Sequence, residues 1–313
     1  YSEISRDTIW EADLPYIVSV NLNVFPDAVF TIKSGAIINF YNEISGITVL
    51  GTLKADNVLF TSFKESPYPG SWKKIYFSPT SANSELTNVI VEYAGAEDGQ
   101  IGRSGIKVDQ SSIILKDSLI RYNMYTGISL SNSSSLIDNV QFIENEIWCK
   151  ECHNQFGSYG IEIRGGAPVI SNSLFKKNTA GIFIDDLASP VIENNNFEEN
   201  AKAVYLIKGS PYFAGNRALN NEINGVFVHA EISQDTVWEA DLPYIISSNI
   251  SVFPDVTFTI KPGAIVKFYD NYGRIDVQGT LKAIGTENEK IIFTSLSDNP
   301  YPGSWDQIYF SET

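Results

Sequence analysis

The sequence predicts an all-β solenoid, wound from short strands without helical segments, and three observations carry that prediction. A long stretch recurs at a spacing of 228 residues. A shorter pattern with a period near 22 residues lies inside it. Between turn residues the chain runs in short β-rich segments that show no 3.6-residue periodicity.

The long repeat comes first along the chain. "EISRDTIWEADLPYIVSVNLNVFPDAVFTIKSGAIINF", from Glu3 to Phe40, returns as "EISQDTVWEADLPYIISSNISVFPDVTFTIKPGAIVKF", from Glu231 to Phe268, with 27 of 38 positions identical and no gap. "GTLKA" at Gly51 returns at Gly279, and "FTSFKESPYPGSWKKIYFSPT" at Phe60 returns from Phe293 after a five-residue insertion. Residues 1–230 therefore make a first unit, and residues 231–313 open a homologous unit expected to continue the same coil.

The short repeat is clearest in the middle of the first unit. Five segments end in Asn123, Asn145, Asn178, Asn200 and Asn221, at spacings of 22, 33, 22 and 21. Each is followed by an apolar run: "GISL" at Gly127, "GIEI" at Gly160, "GIFI" at Gly181, "AVYL" at Ala203 and "GVFV" at Gly225. Each period supplies two or three strands, alternate residues face the core, and the next period stacks about 4.8 Å above. One such turn cannot bury its apolar face alone, whereas a stack of them can. The Asn column is expected to occupy tight left-handed bends and to bond along the stack. Phe142, Phe175 and Phe197 are expected in the core.

The series "VFTIKSGAIINF…GTLKA…FTS…PGSW…IYF", followed by segments such as "PVIENNNFEEN", resembles the right-handed parallel β-helix repeat proteins, the broad group of pectate-lyase-like and NosD-like solenoids. The resemblance spans essentially the whole chain and implies that fold. It implies little about function, since the fold carries lyases, hydrolases, adhesins and passive stalks.

Composition narrows the partners. The formal charge is −15, with 37 acidic against 22 basic residues, which argues against nucleic acid and anionic membrane. No apolar run approaches the roughly 18 residues of a membrane span. No basic, apolar leader precedes Tyr1, so any export signal lies outside this sequence.

The 33-residue spacing marks an insertion, a loop over residues 146–159, and solenoids place function in such insertions. It holds both cysteines of the chain and one of its two histidines, as Cys149, Cys152 and His153. Cys-x-x-Cys-His is the attachment pattern of c-type haem. Two thiols at this spacing form thioethers to the two vinyl groups, and the adjacent imidazole ligates iron. Trp148, Phe156 and Tyr125 are candidates to cover the porphyrin. Met124, the one methionine, is a possible sixth ligand; His229 is a more distant one, and the sixth position could also be open. Lys176, Lys177 and Arg164 could meet haem propionates or be ordinary surface charges. A local disulfide or redox-active dithiol is the competing reading of the cysteines. A structural zinc site lacks a fourth ligand.

Other chemistry has weaker support. "IDDL" at Ile184 and "AEDGQ" at Ala96 offer carboxylates, with no basic residues expected in adjacent turns. The two "PYPGSW" segments could form a sugar platform or a structural turn. The leading expectation is an extracellular, cell-surface or periplasmic monohaem c-type cytochrome carrying haem c. It would pass electrons to a redox partner or a neighbouring haem subunit, with subunits or units stacked head to tail and no hydrolytic or lytic activity. The alternatives are a structural or adhesive surface solenoid and a carbohydrate-active β-helix protein.

Overall fold

The computed structural model describes residues 2–96, 103–145 and 157–311. Its regular structure among these residues is entirely β, in parallel sheets stacked as a right-handed β-helix. Each turn contributes three strands, one to each face. The longest sheet holds 13 described strands, from Glu3–Ile4 to Ile292–Ser295. Two nine-stranded sheets form the other faces of the first unit, and a four-stranded and a three-stranded sheet continue them in the second.

Period-two alternation explains the core. In Ile161 and Ile163, Ile182 and Ile184, and Val226 and Val228, the apolar residues that flank each outward position are fully enclosed. Their side chains stack turn on turn, as do Phe142, Phe175 and Phe197, whose parallel rings lie 5.0 Å apart. The expected aromatic core column is present.

The Asn column is internal, and its chemistry differs from the expectation in one respect. The left-handed conformation belongs to the residue before each Asn: Tyr122, Glu144, Lys177, Glu199 and Asn220, with φ between 51° and 58°. That bend turns the following Asn inward. Asn123 Nδ2 then donates to Asn145 Oδ1 at 3.0 Å, Asn145 to Asn178 at 3.3 Å, Asn178 to Asn200 at 3.2 Å, and Asn200 to Asn221 at 2.9 Å. Each of these amides also donates to a backbone carbonyl one turn earlier, such as Asn178 to Phe142 O. The buried amides are thereby satisfied, which removes the penalty for enclosing them. Left-handed Asn does occur, at a different corner, in Asn139, Asn172 and Asn194.

The ladder has a direction, since every amide-to-amide bond is donated toward the C-terminal turn. A second, shorter ladder runs from Asn195 to Asn216 at 3.1 Å and ends on a carboxylate, Asn216 Nδ2 donating to Asp241 Oδ2 at 2.7 Å. Asp241 lies in the second copy of the long repeat.

At that junction the second copy enters out of phase. The strand Tyr16–Val18 of the first copy pairs with Ile37–Phe40 in a nine-stranded sheet. Its counterpart, Tyr244–Ile246, keeps the equivalent pairing with Ile265–Phe268 but lies in the long sheet, where its other edge pairs with Ile223–Val228. The first unit holds 28 described strands, nine turns of three plus one, so its repeat restarts one face further round.

Candidate functional site

Two places on the coil carry chemistry. The first is the corner where the chain passes from the Asn column into the long sheet. Cys149, Cys152, His153, Trp148 and Phe156 all lie outside the described residues. At this corner Tyr125 takes a left-handed conformation, with φ 68°. Its hydroxyl accepts a 2.7 Å bond from Arg103 Nη1, and the guanidinium lies 4.8 Å from its ring centroid. The Tyr125 carbonyl accepts from the amide of Tyr159 at 3.0 Å, which ties the two sides of this corner together.

Met124 is half-buried and its sulfur packs on the Pro-Gly-Ser-Trp turn of an earlier strand level. A Cβ added at Gly70 would lie 2.9 Å from Met124 Sδ, and one added at Gly95 would lie 2.6 Å from its carbonyl oxygen. Both glycines have φ above 90°, so their lack of a side chain serves conformation and close approach together. Met124 thus lies against that turn. His229 sits three strands further along the long sheet from Tyr159–Gly166. Its Nδ1 is 3.3 Å from both Ser247 Oγ and Ser248 Oγ, beside a shallow hollow lined by Ser247, Ser248, Asn249, Asp270 and Tyr272. Lys176 is paired with Glu198 and Glu199, and Lys177 with Glu144.

The second place is the outer face of the long sheet. Outward positions should be polar on a solvated sheet. Here the register aligns Glu162, Phe183, Tyr205 and Phe227 in one column. Tyr159 stacks on Phe183 with centroids 4.7 Å apart; Phe183 meets Tyr205 edge-on at 5.4 Å, Tyr205 meets Phe227 at 5.8 Å, and Phe227 meets Tyr269 at 5.9 Å. Phe183 is enclosed by its neighbours, the next two rings are half-covered, and Tyr269 is exposed.

Charges are threaded through the rings. Arg164 lies 5.2 Å over Phe183 and pairs with Glu162 at 2.9 Å, Asp185 at 3.3 Å and Asp186 at 3.8 Å. This corrects the expectation for "IDDL": a basic residue does stack in the adjacent turn, directly in register with Asp185. Lys202 reaches over Phe227 at 5.0 Å and Tyr205 at 5.6 Å. Among the described residues it has no carboxylate partner. Burial, with the Glu162 charge adding to it, pushes the Tyr159 hydroxyl up to about 12, so it stays protonated and serves as a hydrogen-bonding group.

Sequence reasoning missed this face. The signal was present in the third residues of "GIEI", "GIFI", "AVYL" and "GVFV": Glu162, Phe183, Tyr205 and Phe227. An apolar residue at an outward position in three successive strands breaks the alternation.

Residues 74–236, just over half of the chain, match the family described as right handed beta helix region. The chain belongs to the right-handed β-helix family. No curated protein matches it. Among solved structures it is similar to the Dettilon tailspike protein, at 10% identity and a TM-score of 0.52, over 93% of this chain and 62% of that one. It is also similar to a mutant of the periplasmic alginate epimerase AlgG, at 10% identity and a TM-score of 0.51, over 98% of this chain and 84% of that one. The chain spans less than two thirds of the tailspike's length. Likeness at this identity concerns the fold. Among the described residues no helix is long and apolar enough to cross a membrane.

Proposed function

We propose that this protein is an extracytoplasmic surface solenoid that holds a glycan along the outer face of its long sheet. The observation that carries the reading is the run of outward rings from Tyr159 to Tyr269, interleaved with Arg164 and Lys202. Aromatic side chains present apolar faces with polar edges, suited to ligands that are apolar on one face and hydroxylated at the rim. The ring positions are set by backbone strands rather than by loops, so little ordering is lost on binding. Arg164 is held by three carboxylates, whereas Lys202 is available to ligand oxygens. The tailspike and the alginate epimerase support this reading only through a shared scaffold.

The test is titration of the intact chain with oligosaccharides of defined composition, followed by tyrosine fluorescence and calorimetry. Binding should weaken about tenfold or more in Tyr205→Ala and Phe227→Ala. Substitution of the exposed Tyr41, on another part of the rod, should change nothing. If no glycan binds, or if the ladder substitutions leave affinity intact, the reading is wrong.

A second reading rests on a separate observation, the Cys149-Lys150-Glu151-Cys152-His153 motif. Cys149 and Cys152 would fasten haem c and His153 would ligate its iron, adding one-electron chemistry to the rod. Of the described residues, Tyr125 and Arg103 border this corner and fit the edge of a planar group, whereas the Met124 sulfur faces Gly70. Oxidised and reduced visible spectra of protein matured with haem-attachment machinery decide it. Haem bands support the reading, and a colourless protein with two titratable thiols contradicts it.

A further inference from the structure

The "WEADLPYI" segment occurs twice, and its two copies meet different surroundings. In the second copy Leu242 is 6% exposed and Ile245 1%, whereas their counterparts Leu14 and Ile17 are 76% and 55% exposed. The internal geometry is the same in both. Trp10 stacks on Tyr16 at 4.1 Å and Trp238 on Tyr244 at 4.1 Å; Phe30 and Phe258 meet the respective indoles edge-on at 4.9 Å and 4.7 Å. The first rim therefore already has the shape that the second has when covered.

What covers the second rim is visible. The strand Ile223–Val228 pairs with Tyr244–Ile246, and the Val226 amide donates to the Pro243 carbonyl at 2.9 Å. Gly225 makes room, since a Cβ there would lie 2.3 Å from Pro243 O and 2.4 Å from Ile245 Cδ1. Asp241 accepts the last amide of the Asn195–Asn216 ladder. Asp13, its counterpart, is exposed, and among the described residues no Asn side chain donates to it.

From this we propose that the Trp10–Val18 rim is a docking surface for the closing turn of another unit of this repeat, of the chemistry shown by residues 212–229. The partner supplies a strand edge like Ile223–Val228, a glycine opposite Pro15, and a buried Asn amide for Asp13 to cap. The exposed row of strand groups and apolar side chains is the template that pairing requires. Because the first unit holds nine turns and one strand among the described residues, a unit seated in the same way is rotated by one face. Successive ring ladders then emerge from all three faces in turn.

The test lengthens the full chain by joining a further copy of residues 3–230 ahead of Glu3 and follows amide hydrogen exchange. Residues 8–18 should slow about tenfold or more, to the level of 236–246. Leu14→Glu with Ile17→Lys in the lengthened chain should abolish that protection while leaving 236–246 protected. Asp13→Ala should lower the Tm of the lengthened chain as Asp241→Ala does, and leave that of the original chain unchanged. Exchange at 8–18 that stays as fast as in the original chain, whatever the state of the added unit, overturns the proposal.

Discussion

The two rims, Trp10–Val18 and Trp238–Ile246, share nearly every residue and differ in what lies against them. Both stack Trp on Tyr at the same distance. The second is sealed by the strand Ile223–Val228, and the first presents Leu14 and Ile17 to solvent. The difference teaches that this motif's local geometry is self-determined, while its burial is supplied from outside. In a solenoid, stability is a sum of turn and interface terms, so identical sequences hold different shares of it according to their neighbours.

The most severe way to break this comparison is to place a charge in each rim. Leu242→Glu puts an uncompensated carboxylate into the junction and should cost about 3 kcal/mol or more of local opening free energy. Leu14→Glu should change stability by less than about 0.5 kcal/mol, because the site is already wet. Exchange measured on both variants checks the pair, and equal losses would mean that the rims are equivalent after all.

A smaller effect sharpens the role of the interior ladder that runs toward the junction. Asn178→Ala removes the acceptor for two donors of Asn145, its backbone amide at 3.1 Å and its side chain at 3.3 Å. It should cost about 2 kcal/mol, with exchange quickening most in the turns on either side. Unchanged protection there would show that the column is not continuous.

How much of this was legible in the sequence depends on the kind of order involved. The repeats, the core phenylalanines and the Asn column follow from periodicity, which a β-coil converts directly into stacking. The preceding left-handed residues were not legible, because Tyr122, Glu144 and Lys177 are not residues that announce such a bend. Arg164 over Asp185 was missed because their partnership depends on register across 21 residues. The outward rings were missed because apolar residues default to the core when read one strand at a time. The phase shift at the junction needed the pairing of Tyr244–Ile246, which nothing in the repeat alone specifies. The Cys149–His153 motif remains a reading of sequence.

The least effect separates the two copies by charge. Glu43 pairs with Lys64 and accepts a 2.6 Å bond from Tyr68, and these hydrogen bonds hold its carboxyl at about 2, below its ordinary 4.5. Its second-copy counterpart is Asn271. A depressed folded-state value means stabilisation that is complete above about 4.5 and lost as pH falls toward 2. Glu43 is half-exposed, so screening limits the effect to less than about 1 kcal/mol. Glu43→Gln should remove that acid-side loss, seen as a flatter Tm between those pH values.

The most direct test of the account is amide exchange on the unmodified chain, comparing residues 8–18 with residues 236–246. If the second copy is seated on the first through Asp241, Leu242 and the strand Tyr244–Ile246, the later segment exchanges about tenfold or more slowly than its near-identical counterpart. Equal rates in the two segments would contradict it.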